Sequence, residues 1–133
     1  ITISGLLVIK GKMVVESRSY MEKLYAPSSY YKLTKQQREA QCNGCGKAGF
    51  GGYITPDTIY GMSITDCCDI HDHSYAKGKT IADKDEADRV FLNNMMRKIE
   101  AHSPWLGFVR RLRAKSYYNA VRYFGGSAFW DGK

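Results

Sequence analysis

Between Ile81 and Ala101 the apolar residues return every three or four positions: Ala87, Phe91, Met95 and Ile99 fall near one face, and Val90, Leu92 and Met96 widen it. That rhythm predicts one long amphipathic helix. The stretch before it predicts another, opened by Ser63 or Thr65 as the capping hydroxyl and running out at Lys77-Gly78-Lys79. Ser103-Pro104, a hydroxyl followed by proline at the first helical position, restarts the chain into a third helix over Pro104–Phe124. Its apolar stripe predicts burial of Trp105, Phe108, Val109, Leu112 and Val121. Gly125-Gly126 stops it, and Phe129-Trp130 follow as an exposed or docking aromatic pair.

The first third of the chain has a different texture. Residues 1–16 predict a small β-hairpin around Lys10-Gly11-Lys12, with Ile3, Leu7, Val8 and Ile9 on one side and Met13, Val14 and Val15 on the other. Residues 17–33 carry Tyr20, Met21, Leu24, Tyr25, Tyr30 and Tyr31, broken by Pro27-Ser28-Ser29. Those aromatics suit a core better than the lip of an opening. Thr34 is placed to cap a short helix over Lys35–Gln41. From Cys42 to Gly52 five of eleven residues are glycine, which is neither helix nor strand but a loop whose carbonyls can turn inward towards an ion. No phosphate-binding lysine and hydroxyl pair follows it. Ile54–Met62 then leads to the central helix through a Pro56-Asp57 turn.

At 133 residues, 44% of them apolar, the sequence fits a single folded domain over 1–133. Its net charge of +7 is unevenly placed. Residues 42–96 hold five Lys/Arg against eight Asp/Glu, whereas residues 97–122 hold seven against one. An acidic middle suits a cation, and a basic tail suits an anionic surface. No apolar run approaches the ~18 residues of a membrane-spanning helix. Ile3–Ile9 is too short for one and lacks the charged start and cleavage site of a signal peptide. The chain starts at Ile1 rather than at a methionine, which suggests a processed or excised form. Its four cysteines allow three pairings and favour an oxidising compartment over the cytosol.

The densest chemistry lies in Cys67-Cys68-Asp69-Ile70-His71-Asp72-His73-Ser74-Tyr75. On a helix, Cys68, His71, Asp72 and Tyr75 stand at i, i+3, i+4 and i+7 and share a face. That face combines an anchor, a base, a hard-cation ligand and a hydroxyl donor, a set suited to ester or phosphate chemistry beside a metal ion. Asp88, at the edge of the second helix's apolar stripe, reads by itself as a solvated residue.

Three stretches taken together resemble the secreted phospholipase A2 family: Asn43-Gly44-Cys45-Gly46, the Cys67–Tyr75 segment, and Asp88-Arg89-Val90-Phe91. The form of the loop is most similar to the group-twelve branch. The resemblance covers the core motifs, residues 42–99; the N-terminal extension, residues 1–33, matches nothing in the family. It implies a mostly α fold with two long antiparallel helices held by packing and disulfides and a glycine-rich calcium loop, to which the residues themselves add the small N-terminal β-hairpin and a C-terminal basic helix. It implies that His71 is the general base, that Asp88 orients and balances it, and that Tyr75 steadies Asp88. Asp72 would bind calcium with carbonyls of Gly44, Gly46 and Ala48, and the Gly46 amide would join the ion in stabilising the oxyanion. Disulfides Cys45–Cys68 and Cys42–Cys67 follow from the same analogy. Ser74 stands where most relatives have a cysteine, and none adjoins Asp88, so packing alone must join the two long helices.

The implied activity is calcium-dependent hydrolysis of the sn-2 ester of glycerophospholipids by a secreted or extracytoplasmic monomer. Digestion, defence and delivery into a target cell as a toxin, opposed by an inhibitor or immunity protein, are all compatible roles. The expected partner is an anionic bilayer rather than nucleic acid, met by an outer face carrying Arg110, Arg111, Arg113 and Lys115, with Tyr117 and Tyr118 beyond. Two rivals remain. One is a zinc module using Cys42, Cys45, Cys67 or Cys68, and His71 or His73. The other is a catalytically silent binding module of the same fold.

Overall fold

The computed structural model describes residues 6–9, 12–16, 23–41, 56–102 and 104–133. Among them the chain is mostly helical, with six α-helices and two small antiparallel sheets. The hairpin predicted at the start is present: β1 (Leu6–Ile9) pairs with β2 (Lys12–Glu16), Ile9 opposite Lys12. A third strand, β3 (Lys23–Ala26), which the sequence reading did not foresee, adds to β2 with Val14 opposite Tyr25. After a single turn, α1 (Ser28–Tyr31), comes α2 (Lys35–Gln41), bounded as predicted. Thr34 caps it reciprocally: its Oγ1 accepts from the Gln37 amide at 3.1 Å, and its own amide donates to Gln37 Oε1 at 2.9 Å.

The two long helices are α3 (Thr65–Lys77) and α4 (Ile81–Ala101). Residue pairs joining them run in opposite order along the chain: Lys98 Nζ lies 3.6 Å from Asp66 Oδ2, and His71 Nε2 lies 2.8 Å from Asp88 Oδ1. They are therefore antiparallel. Their apolar stripes meet in one core in which Phe91, Met95, Ile99, Ile59, Met62 and Ile64 are almost wholly buried. Burying an aromatic or aliphatic side chain of this size stabilises by about 1.5–3 kcal/mol. The capping at α3 differs from expectation. Ile64 occupies the N-cap position, and neither Ser63 nor Thr65 caps from there. At α4, Thr80 and Asp83 form a reciprocal box, Thr80 Oγ1 accepting from Asp83 N at 3.1 Å and Asp83 Oδ2 from Thr80 N at 3.1 Å. Asn94, buried on α4, ties this helix to the sheet. Its Oδ1 accepts from Tyr25 N at 2.7 Å and its Nδ2 donates to Tyr25 O at 2.8 Å, so one amide side chain takes the place of a neighbouring strand.

The third helix begins as a 3₁₀ turn (Pro104–Leu106), continues as α5 (Gly107–Phe124), and is followed by short α6 (Gly126–Trp130). Here the predicted burial is overturned. Trp105, Phe108 and Leu112 are 82%, 67% and 53% exposed, Val109 is exposed too, and only Val121 of the five is buried. The face turned inward is instead Arg110, Ala114, Tyr117 and Val121. The reason lies in the small hairpin of β4 (Thr58–Ile59) and β5 (Met62–Ser63), whose turn places Tyr60 and Gly61 at φ 46° and 82°. That geometry is a two-residue turn of the primed kind, and the carbonyls of Thr58, Ile59 and Tyr60 face α5. α5 covers them with donors: Arg110 Nε to Ile59 O at 3.3 Å, Arg110 Nη2 to Tyr60 O at 2.8 Å, and Tyr117 Oη to Thr58 O at 2.9 Å. Arg110 and Tyr117 are thus structural and buried, not part of the outer basic face on which the sequence reading placed them. Of the aromatic pair, Phe129 docks into the core and Trp130 stays exposed.

Candidate functional site

α3 delivers His71 and Tyr75 to the surface that faces α4, one helical turn apart, and α4 answers with Asp88. His71 Nε2–H donates to Asp88 Oδ1 at 2.8 Å, and the Tyr75 hydroxyl donates to the same oxygen at 2.6 Å. Asp88 accepts from Nε2, which makes this nitrogen the protonated one and leaves the lone pair of the neutral ring on Nδ1. Phe91 and Tyr75 flank the imidazole, with ring centroids 4.8 and 4.1 Å away. His71 is 3% exposed and Asp88 1%. So Asp88 is no solvated edge residue. It is a buried carboxylate, and its burial requires the partners it has.

A further residue, which the sequence reading passed over, completes the group. Lys84, one turn before Asp88 on α4, is buried and donates from Nζ to Asp88 Oδ2 at 2.8 Å. The same ammonium donates to Val121 O and Arg122 O, each at 3.2 Å. The signal available in the sequence was the opposite charge at i, i+4 on the buried side of α4.

Burial holds His71 below its ordinary imidazole value, and the nearby Lys84 charge works in the same direction against the Asp88 bond. For Asp88, burial alone would raise the carboxyl, but the bonds from His71, Lys84 and Tyr75 outweigh it and keep Asp88 below the usual carboxylate range. Burial, then the Asp88 charge and bond, push the Tyr75 phenol well up, so it stays a donor. The result is an oriented neutral base backed by an ionised acid.

Comparison with protein-family models, curated proteins and solved structures finds no match for the chain.

Asp72 follows His71 on α3 and is half-buried, a position in which a carboxylate can still meet a hard cation. The remaining residues assigned to calcium, Gly44, Gly46 and Ala48, lie outside the described residues, as do Cys42 and Cys45. Cys67 and Cys68 are buried in the first turn of α3. Cys68 is disulfide-bonded, with both of its candidate partners outside the described residues, whereas Cys67 carries a thiol, which overturns the expected Cys42–Cys67 disulfide. His73, the second imidazole of the zinc reading, is buried on another side of α3, where its Nε2 bonds Ser29 Oγ at 2.8 Å. Burial, with the charges of Lys77 and Arg38, holds it too below its ordinary value. Among the described residues no three His, Cys, Asp or Glu side chains cluster as a metal site.

The basic residues divide. Arg110 is buried, as above, whereas Arg111, Arg113 and Lys115 are exposed along α5. Arg113 lies over the exposed Tyr60 ring, 5.4 Å from its centroid. Among the described residues no helix is long and apolar enough to cross a membrane.

Proposed function

We propose that the chain is a calcium-dependent phospholipase A2 hydrolysing the sn-2 ester of glycerophospholipids. The observation that carries the reading is the buried bond from His71 Nε2 to Asp88 Oδ1 at 2.8 Å, with Tyr75 on the same oxygen. In that arrangement Nδ1 takes the proton of an attacking water, Asp88 balances the imidazolium, and Tyr75 keeps the carboxylate from turning. Asp72 would hold the calcium ion with carbonyls of Gly44, Gly46 and Ala48, and the ion supplies positive charge to the ester oxygen when bound. The Gly46 amide would add a donor to the developing oxyanion. A disulfide Cys45–Cys68 would anchor the loop to α3, and a disulfide-bonded Cys68 suits that pairing or one with Cys42. The Cys42–Cys67 pairing is not proposed, because Cys67 carries a thiol.

The partner on this reading is an anionic bilayer. What supports it is α5 with the 3₁₀ turn before it: Trp105 of the turn and Phe108, Val109 and Leu112 of the helix are exposed to solvent, and Arg111 and Arg113 are exposed beside them. Apolar side chains rimmed by cations suit insertion at a negatively charged interface. Secretion or delivery outside the producing cell belongs to the same proposal.

The test is fatty-acid release from mixed phospholipid vesicles with calcium, then with chelator, for the parent and for His71→Gln. Release from the sn-2 position that needs both calcium and His71 is expected. Release that survives His71→Gln, or no release by the parent, defeats the reading.

A further inference from the structure

We infer that Lys84 is a positioning residue of the His71–Asp88 pair and that it makes the end of α5 a part of the site's framework. The inference rests on the proposed esterase reading and goes beyond it, because nothing in the resemblance assigns Lys84 a role. An ammonium has three hydrogens to donate. Lys84 Nζ has three acceptors: Asp88 Oδ2 at 2.8 Å and the carbonyls of Val121 and Arg122 at 3.2 Å each. Two of these are carbonyls in the last turn of α5, where the helix dipole favours a cation; Val121 O also accepts from the Gly125 amide at 2.9 Å, so Lys84 takes its second lone pair. The helix end therefore fixes where the ammonium sits, and the ammonium fixes Asp88.

The division of Asp88 between its partners makes this specific. Oδ1 serves His71 and Tyr75, and Oδ2 serves Lys84, so the carboxylate cannot rotate without breaking a bond on each oxygen. The carboxylate is almost fully buried, and a buried anion stripped of the ammonium of Lys84 is costly. Without Lys84, Asp88 gains reason to take up a proton or to turn. Either change leaves the imidazolium formed during proton transfer without its counter-charge, while the substrate and Asp72 are untouched. Lys84 is thus expected to govern turnover rather than binding.

The experiment measures kcat and KM on a short-chain phospholipid below its micelle concentration, with calcium affinity by calorimetry. The proteins are the parent, Lys84→Met, Lys84→Arg, Asp88→Asn and the double variant Lys84→Met/Asp88→Asn. A misplaced catalytic group costs on the order of 10²-fold, and that fall in kcat is expected for Lys84→Met, with KM and calcium affinity within about twofold of the parent. Lys84→Arg should recover at least about tenfold of the loss by restoring the charge-assisted bond. In the Asp88→Asn background, Lys84→Met should cost nothing further, because the residue acts through Asp88. Equal losses in both backgrounds, or parental kcat in a folded Lys84→Met protein, overturn the inference.

A readout free of turnover separates it from the esterase reading. In the parent, ¹⁵N spectra of His71 should show the Nε2–H tautomer alone, and Lys84→Met should mix the two tautomers. If the parent hydrolyses nothing, the esterase reading fails while this spectral change still upholds Lys84's positioning role; an unchanged His71 spectrum removes it. Should Lys84→Met not fold, Lys84→Gln, which keeps a donor without the charge, takes its place in every comparison.

Discussion

Gly125 ends α5 directly against Tyr75: a β-carbon on Gly125 would stand 2.6 Å from the Tyr75 hydroxyl and 2.3 Å from Val121 O. The residue is needed for that close approach and not for unusual backbone angles, since its φ is −82°. Gly125→Ala should force the helix end and the phenol apart, at a cost of roughly 1–3 kcal/mol for overpacking. It should also lower ester hydrolysis, because Tyr75 would leave Asp88. Tyr75→Phe in the same protein removes one of the two clashing atoms and should recover part of the stability. Urea midpoints of the parent, Gly125→Ala, Tyr75→Phe and the double variant check this, and full stability in Gly125→Ala would refute it.

Asp88 sets an acid limit. Its folded carboxyl lies below the ordinary value, so the unfolded chain binds the proton more readily and stability rises with pH through that range. The contribution is complete above about pH 4, the ordinary aspartate value, and is lost as pH falls through the lower folded one. Urea midpoints from pH 6 to pH 2 should fall more steeply below pH 4 for the parent than for Asp88→Asn. Parallel curves would show that Asp88 is not the group responsible.

Asn94 can be tested through its two bonds to Tyr25. Asn94→Ala should destabilise by about 1–3 kcal/mol, because it leaves a half-buried amide and carbonyl of β3 without these bonds. Asn94→Asp keeps an acceptor for Tyr25 N but sets a carboxylate against Tyr25 O, so it should be no better than the alanine variant. Equilibrium unfolding followed by circular dichroism decides, and an aspartate variant as stable as the parent would sink the assignment.

Neighbouring arginines on α5 should behave oppositely. Arg110→Ala removes the donors to Ile59 O and Tyr60 O and should cost roughly 2–3 kcal/mol. Arg111→Ala, on the exposed side, should change stability by less than about 0.5 kcal/mol. Thermal unfolding of the two variants is the measurement. Similar losses would mean that α5 is not oriented as described.

The exposed stripe makes a prediction of its own. Trp105→Ser with Phe108→Ser should leave stability and hydrolysis of a monomeric substrate near parental values, since both side chains face solvent. Adsorption to anionic vesicles should fall about tenfold or more, given about 25 cal/mol per Å² of apolar surface withdrawn from water. Vesicle sedimentation and the blue shift of tryptophan emission report it. Unaltered adsorption would show that this stripe is not a membrane contact.

The sequence by itself determined the spans of α2 and of the long helices α3, α4 and α5. Ile81–Ala101 was legible from its apolar stripe, α2 from Thr34, and the pairing of Leu6–Ile9 with Lys12–Glu16 from its β-branched runs, because caps and periodicity act within a few residues. The spacing of His71 and Tyr75 likewise put both on one face, since a helix has only one geometry. Tertiary structure alone decided the rest. The third strand and its tie to Asn94 join residues 69 positions apart, which no local pattern encodes. The burial of Asp88, the three bonds of Lys84 and the inward turn of Arg110 also arise where α4, α5 and the β4–β5 turn meet. There, unpaired backbone carbonyls claimed the donors and left Trp105, Phe108 and Leu112 outside. Hydrophobicity along α5 pointed the other way, because burial follows what the facing surface needs and not the side chain's own preference.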